Sequence, residues 1–114
     1  DTYDTAVILN QQSLDKFESK VKPGGVLIYD PYDIHRAPSR TDIRVLPVPA
    51  MEATIAAGQA KVYNMILLGA LLKARPDLPV EAVVRGLKKA LPERHHHLIP
   101  ANEAAIRSGM DLVP

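Results

Sequence analysis

The 114-residue sequence contains no cysteine. A chain without cysteine holds no disulfide and no thiolate nucleophile, and it offers no sulfur ligand to zinc or to an iron–sulfur cluster. Any redox-active group that works with this protein is therefore expected on another chain.

Tryptophan is absent too, and the net charge is only +1, with both signs interspersed along the chain. No basic stripe with interleaved aromatic residues is present, so neither nucleic acid nor an anionic membrane is expected as a partner. The longest apolar run, Met65 to Leu72, is far shorter than the roughly 20 residues that a membrane span needs. Since no signal peptide is visible, a cytoplasmic location is expected.

What is present is an ordinary globular composition, with 46% hydrophobic and 24% charged residues, on a chain long enough for one domain or part of one. Continuous apolar runs at 6–9 and 26–29 predict strands buried on both faces of a parallel sheet, and residues 43–48, closed by Pro47 and Pro49, predict a third strand. Asn10 is expected to cap a helix that continues through Val21 and ends at the turn Pro23-Gly24-Gly25.

The second half of the sequence is helical. Pro49 and Gly58 are expected to bound a first helix, and Val80 to Leu91 and Pro100 to Ser108 predict two later helices, with Gly109 as the C′ residue of the last. Strands alternating with helices, followed by a helical tail, predict an α/β fold, a three-layer α/β/α domain with a mainly parallel sheet.

Between these helices, Lys61 to Leu72 predicts a helix of a different kind, which is expected to end before Pro76. From Met65 onward it is apolar on every face except at Gly69, which indicates a helix buried on most sides. Asn64 is the polar exception, and we expect its side chain to be buried and hydrogen-bonded to backbone atoms near a strand end.

No self-sufficient active site is visible, so we assign no catalytic residue. The triplet His95-His96-His97 is the obvious metal candidate, but adjacent residues on a turn diverge and no second ligand group stands at a suitable spacing. A polar connector between two helices is the favoured interpretation, and no metal site is assigned. The serines lack a nucleophile elbow, and Gly24-Gly25 precedes a strand instead of following one, unlike a phosphate loop.

The expected ligand or partner edge is the carboxyl end of the sheet, where ligands of parallel α/β folds gather. Polar residues at or near this edge are candidates for binding, and the arginines among them could grip phosphate groups. An ordinary solvated loop is the alternative interpretation of the same residues. The candidates are Asn10, Gln11, Asp30, Arg36, Arg40 and Arg44.

Several segments resemble one known family in the same order. They are Leu9-Asn10-Gln11 followed by Leu14-Asp15-Lys16-Phe17, the segment Lys22 to Tyr29 (KPGGVLIY), and Pro47-Val48-Pro49-Ala50 leading to Asn64-Met65 and Gly69-Ala70-Leu71-Leu72. Asn102-Glu103-Ala104-Ala105 fits the helical tail. The chain thereby resembles the gamma subunit, or gamma domain, of 2-oxoacid:ferredoxin oxidoreductases, enzymes that oxidise pyruvate, 2-oxoglutarate, ketoisovalerate or indolepyruvate to acyl-CoA.

The resemblance also implies that a part of the domain is missing. Family members have a glycine-rich turn of the G-x-G-G-x-G kind near their N-terminus, and this chain has none. Residues 1–114 are therefore expected to be the C-terminal two-thirds of a single gamma-type α/β domain that is incomplete at its N-terminus.

The resemblance implies that this chain mainly assembles a complex with subunits of alpha, beta and delta type. That complex passes electrons to ferredoxin. Thiamine diphosphate, iron–sulfur clusters and coenzyme A belong to that complex, and no cofactor is expected on this chain, although the candidate residues could contact coenzyme A or a partner. The chain alone is expected to be inactive. A free-standing α/β ligand-binding module, or a scaffold without thiamine-dependent chemistry, is the alternative.

Overall fold

A computed structural model describes residues 2–58, 60–75, 77 and 79–114. Short 3₁₀ turns lie at Glu18–Lys20, Pro31–Asp33 and Ala60–Val62, and a longer one lies at Glu93–Leu98. The strands and α-helices are, in chain order, β1 (Tyr3–Ile8), α1 (Gln11–Phe17), β2 (Val21–Tyr29), β3 (Arg44–Pro47), α2 (Ala50–Ala57), α3 (Tyr63–Ala74), α4 (Val80–Ala90) and α5 (Ile99–Leu112).

The strands form a parallel sheet in the order β1-β2-β3. On one face, Leu14 of α1 packs with Ile8 and Leu27. On the other face, Ile28 and neighbouring strand residues pack against α2, α3 and α5. Helices thus lie on both faces of the sheet, which confirms the predicted α/β/α layering and suits the apolar run Val26 to Tyr29 in β2. Strand β1 is not buried on both faces as predicted, because Val7 is 39% exposed at the edge of the sheet.

The N-terminal half of β2 corrects one prediction. The segment Lys22 to Gly25 is not a turn after α1, because α1 ends at Phe17 and the buried Val21 already pairs with Tyr3 in the sheet. The pairing then shifts between Tyr3 and Thr5, so the extra residues of β2 form a bulge. Gly24 lies at φ +82°, a conformation that favours glycine at this point.

Helix α3 is buried on most sides, as predicted. Its residues Ile66, Leu67, Gly69, Ala70, Leu72 and Ala74 are buried, and it lies between the sheet and α5. Pro76, which was expected to follow its end, lies outside the described residues.

The prediction that the Asn64 side chain is buried is wrong, because Asn64 is exposed. It occupies the first turn of α3, before the apolar run turns toward the core.

Helices α3 and α5 cross at two glycines. A Cβ atom on Gly69 would collide with the backbone carbonyl of Ile106, and one on Gly109 would collide with that of Ile66. Gly109 is therefore an interior residue of α5 and not the C′ residue that the sequence predicts. The helix continues past it to Leu112 because Gly109 is buried against α3.

The remaining helices follow their predicted ends more closely. Gly58 ends α2 in the left-handed conformation, at φ +72°, and the histidine triplet lies on the 3₁₀ turn that joins α4 to α5. Among the described residues, no helix combines the length and the apolar character that crossing a membrane requires.

Candidate functional site

The carboxyl ends of the three strands lie side by side, as the parallel pairing requires. Two backbone hydrogen bonds continue the sheet just past its strands. The Asp30 N–H donates to the carbonyl of Ile8 at 3.0 Å, and the Val48 N–H donates to the carbonyl of Tyr29 at 2.8 Å. These bonds hold Asp30 and the start of α2 at the carboxyl edge, where Asn10 and Gln11 also follow the end of β1. Arg36 reaches this side through α1, whereas Arg40 and Arg44 lie near the amino ends of β2 and β3.

Asp30 is the centre of this edge and is only 1% exposed. Its Oδ1 accepts a hydrogen bond from the Tyr32 N–H at 3.0 Å. Its Oδ2 accepts one from the Met51 N–H at 2.8 Å and one from the Tyr63 hydroxyl at 3.0 Å. The carboxylate thus caps the first turn of α2, where the helix dipole also favours a negative charge. Through the Tyr63 hydroxyl it also connects the start of α3 to the start of α2.

The surroundings of Tyr63, at the start of α3 beside Asp30, change the pKa of its hydroxyl. Burial, followed by its hydrogen bond to the Asp30 carboxylate, raises the pKa of Tyr63 to about 12 from its ordinary 10.0. The hydroxyl therefore stays protonated at neutral pH and acts as a donor to Asp30.

Asn10 and Gln11 serve the chain's own structure. Asn10 caps α1 as predicted, since its Oδ1 accepts from the Ser13 N–H at 2.8 Å. The Oε1 of Gln11 accepts from the backbone N–H groups of His35 and Arg36 at 2.8 and 2.7 Å. Gln11 therefore fixes the middle of the loop at residues 31–42.

Arg36 is also held by α1. Its Nη2 donates to Oδ1 of Asp15 at 2.6 Å, and the Nε2 of Gln11 donates to the same oxygen at 3.0 Å. These bonds, that of Gln11 first, lower the pKa of the Asp15 carboxyl below its ordinary value. Asp15 thus occupies one of the guanidinium nitrogens of Arg36.

Arg40 is the most fully used of the candidate cations. Its Nε and Nη2 donate to the two carboxylate oxygens of Asp42 at 2.8 and 2.6 Å, and its Nη1 donates to the carbonyls of Glu18 and Val21 at 2.9 and 2.6 Å. The bonds to Asp42 raise the pKa of Arg40 and lower that of Asp42. Arg44 lies on β3 and is exposed.

Glu18 also holds loop 31–42, a structural role that the sequence does not reveal. It is only 8% exposed, and its Oε2 accepts from the backbone N–H groups of Ser39 and Arg40 at 2.7 and 3.3 Å. No motif marks it, because its partners lie 21 and 22 residues away in a loop without periodicity. Tyr63 was missed for the same reason.

The cavity at this edge has a volume of about 210 Å³ and is lined by Asp30, Pro31, Tyr32, Pro49 and Glu52. Its ionisable residues are two acids and a tyrosine, so phosphate groups of a ligand would meet carboxylates. Across the described part of the chain, no cluster of three or more His, Cys, Asp or Glu side chains forms a potential metal site. In the histidine triplet, a ring nitrogen of His96 bonds the carbonyl of Leu91 at 2.9 Å.

The sequence matches one protein family across nearly its full length. Residues 1–112 match the family described as pyruvate ferredoxin/flavodoxin oxidoreductase. The ketoisovalerate oxidoreductase subunit VorA of Methanothermobacter thermautotrophicus is 38% identical over 72 residues, which are 63% of this chain and 15% of that protein. The chain thus spans less than a sixth of the length of this relative.

Solved structures share the fold over almost the whole chain. The gamma subunit of a keto/oxoacid ferredoxin oxidoreductase from Geobacter sulfurreducens matches with a TM-score of 0.80 and 23% identity, over 97% of this chain and 62% of that chain. A 2-oxoglutarate:ferredoxin oxidoreductase from Magnetococcus marinus, solved with 2-oxoglutarate, coenzyme A and succinyl-CoA, matches with a TM-score of 0.72 and 21% identity, over 98% of this chain and 20% of that chain. At these identities the similarity establishes the α/β fold.

Proposed function

Because the chain belongs to the pyruvate ferredoxin/flavodoxin oxidoreductase family, we propose that it is the gamma-type subunit or domain of a 2-oxoacid:ferredoxin oxidoreductase complex. The complex oxidatively decarboxylates a 2-oxoacid to acyl-CoA and passes the electrons to ferredoxin in the cytoplasm. The family match over residues 1–112 does not favour the alternative of an unrelated ligand-binding or scaffold module.

Within that complex, the role we propose for this chain is assembly. The observation that carries this role is the internal use of the polar groups at the carboxyl edge. At that edge Gln11 and Asp30 accept hydrogen bonds from backbone N–H groups of the chain itself, and Arg36 is paired with Asp15. Glu18 and Arg40 hold the far end of loop 31–42 in the same way, next to the amino end of β2. The edge is built to hold loop 31–42 and α2 in one conformation, and a fixed surface of this kind suits contact with another subunit.

The cofactors of the complex belong mainly to the partners of this chain. Without cysteine, it supplies no thiolate to an iron–sulfur cluster, and we assign it no thiamine diphosphate site. Its residues do not fit a self-contained coenzyme A site, because the edge cavity is lined by Asp30 and Glu52 and Arg36, the candidate arginine on this side, is paired with Asp15. We therefore assign loop 31–42 to contact with subunits of alpha, beta or delta type, through which it would affect access of coenzyme A.

We also infer that residues 1–114 are the C-terminal two-thirds of one domain. The support is the outer edge of β1, which pairs only with β2 among the described strands and has Tyr3 and Val7 each 39% exposed. Parallel sheets are normally covered on both faces, and natural proteins cover or otherwise protect an exposed apolar edge strand. In a protein with a longer N-terminal part, hydrogen exchange at β1 should be slow; rapid exchange there would contradict the inference.

Co-purification tests the proposed assembly role. A tagged form of this protein, expressed with the thiamine-dependent and cysteine-rich subunits of the same organism, should retain both through gel filtration. Isolation of the tagged protein without them, at protein concentrations where those subunits are folded, would contradict the proposal. Arg36→Ala and Arg75→Ala form a matched pair, since both arginines are exposed and ion-paired. Only Arg36 lies at the carboxyl edge, so we expect Arg36→Ala alone to weaken retention.

A further inference from the structure

The outer face of α4 concentrates positive charge. Arg85, Lys88 and Lys89 are spaced i, i+3 and i+4, so they share one side of the helix, and all three are exposed. Arg94 follows in the next 3₁₀ turn and is exposed as well. Glu93 is the single carboxylate among residues 85–97. We refer to Arg85, Lys88, Lys89 and Arg94 as the α4 cationic face.

These charges have no carboxylate partner among the described residues. The ion pairs found there join Lys22, Arg36, Arg40, Arg75 and Arg107 to carboxylates, and none includes the α4 cationic face. Glu81 lies one turn before Arg85 but approaches Arg107 of α5 at 3.7 Å. The chain as a whole has a net charge of only +1, so its positive charge is distributed unevenly.

The orientation of α4 is fixed by its opposite side. Val80 is buried in a core cluster with Leu72 and Ile106, and Val83, Val84 and Leu87 pack against that cluster. Because this apolar stripe faces α3 and α5, Arg85, Lys88 and Lys89 lie on the side of α4 that faces away from the core and toward solvent.

We propose that the α4 cationic face is a docking surface for an acidic surface of another protein, which binds transiently. Charge complementarity of this kind raises the rate of encounter and orients the partner. A permanent subunit interface would instead have an apolar core, in which lysine is depleted. An apolar core of this kind is lacking here, because Leu98, 44% exposed, is the one exposed large hydrophobic residue in the described segment 79–98.

Other anions fit this surface less well. Single-stranded nucleic acid is held by basic grooves with aromatic side chains on which bases stack, and residues 79–98 contain no Phe, Tyr or Trp. A small phosphate ligand needs convergent donors in a concave site, whereas these side chains stand along an exposed helix. The proposal takes the chain within its complex and in that respect rests on the proposed function, whose own failure would appear as loss of the partner subunits from the native protein.

Binding of a fluorescent peptide of consecutive glutamates to the purified complex, followed by anisotropy, tests this docking surface. We expect the triple variant Arg85→Glu/Lys88→Glu/Lys89→Glu to weaken binding about tenfold or more at low salt, and the effect to shrink as salt is raised. The control variant Lys16→Glu/Lys20→Glu/Lys73→Glu changes net charge equally elsewhere and should weaken binding less than about threefold. Replacement of the same α4 residues by glutamine should give an intermediate loss.

Each other outcome overturns the proposal. Equal losses in the two glutamate variants would mean that net charge alone attracts the peptide. Displacement of the peptide by inorganic pyrophosphate would indicate a small-anion site, and tighter binding of single-stranded DNA than of the peptide would indicate nucleic acid. Loss of other subunits from the α4 variant during purification would identify the face as a permanent subunit interface.

Discussion

At the scale of single residues, Asp30 determines how the carboxyl edge is built. One buried carboxylate accepts hydrogen bonds from Tyr32, Met51 and Tyr63, so it connects the end of β2 to the starts of α2 and α3. Its position after a strand made it a candidate ligand residue. The structure shows that its oxygens already have protein donors, which makes it a structural anchor.

Replacement of Asp30 should therefore reduce stability. Asp30→Ala leaves buried donors without an acceptor, and we expect a loss of about 1–3 kcal/mol in the free energy of unfolding. Asp33→Ala is the matched control, because Asp33 is exposed in the adjacent 3₁₀ turn, and its effect should stay within about 0.5 kcal/mol. Urea denaturation measures both. Equal stability of the two variants would show that the Asp30 bonds contribute nothing.

Tyr63 gives stability a dependence on alkaline pH. Its pKa is about 12 in the folded protein against 10.0 ordinarily, so the unfolded chain releases this proton first as pH rises. The contribution is complete below pH 10 and is lost between pH 10 and about 12. Between pH 10 and about 12, the free energy of unfolding of Tyr63→Phe should therefore fall less steeply with pH than that of the native protein. Urea denaturation at a series of pH values measures both slopes. Parallel pH dependences would contradict the assigned hydrogen bond.

At the scale of structural elements, the crossing of α3 and α5 is the closest contact between helices. Gly69 and Gly109 each face the backbone of the other helix and leave no room for a Cβ atom. An apolar helix interrupted by one glycine is visible in the sequence, but the helix that approaches it is not. This is why Gly109 was predicted to end α5 when it lies inside it.

Substitution of Gly69 by alanine should separate the two helices. We expect Gly69→Ala to destabilise the protein by roughly 1–3 kcal/mol, because the added methyl group forces the backbones apart. Gly86→Ala is the control, since nothing lies within 4 Å of a Cβ at Gly86 in α4, and it should stabilise by about 0.4–1 kcal/mol. Thermal or urea denaturation gives both values. A neutral Gly69→Ala would contradict the close crossing.

The loop at residues 31–42 is the second element with a specific prediction. Gln11→Ala removes the acceptor for the His35 and Arg36 amides, so their hydrogen exchange should become faster, by about tenfold for a loss of about 1.4 kcal/mol. Gln12→Ala, at the exposed neighbouring position, should leave these amides unchanged. Unchanged exchange in Gln11→Ala would show that the loop is held by other contacts.

Most of the element order could be predicted from the sequence, because apolar runs, Asn10 as a cap and Gly58 as a stop are local signals. The long-range features could not. The bulge of β2 depends on pairing between Val21 and Tyr3, and the anchoring of loop 31–42 by Glu18 depends on contacts about 20 residues apart. Asn64 was misplaced because an apolar run alone does not tell which turn of the helix enters the core.

At the scale of the whole molecule, the chain is a three-layer domain whose polar edge is stabilised internally and whose β1 edge is exposed. It belongs to a family of oxidoreductases, yet it has no cysteine for a cluster. These features together support a subunit that acts only within a complex.

The most direct measurement of that claim is 2-oxoacid-dependent reduction of ferredoxin, with coenzyme A and thiamine diphosphate present. We expect no reduction by this protein alone, little by the partner subunits without it, and full activity when all are combined. Reduction by this protein alone, or equal activity of the partner subunits with and without it, would contradict the account.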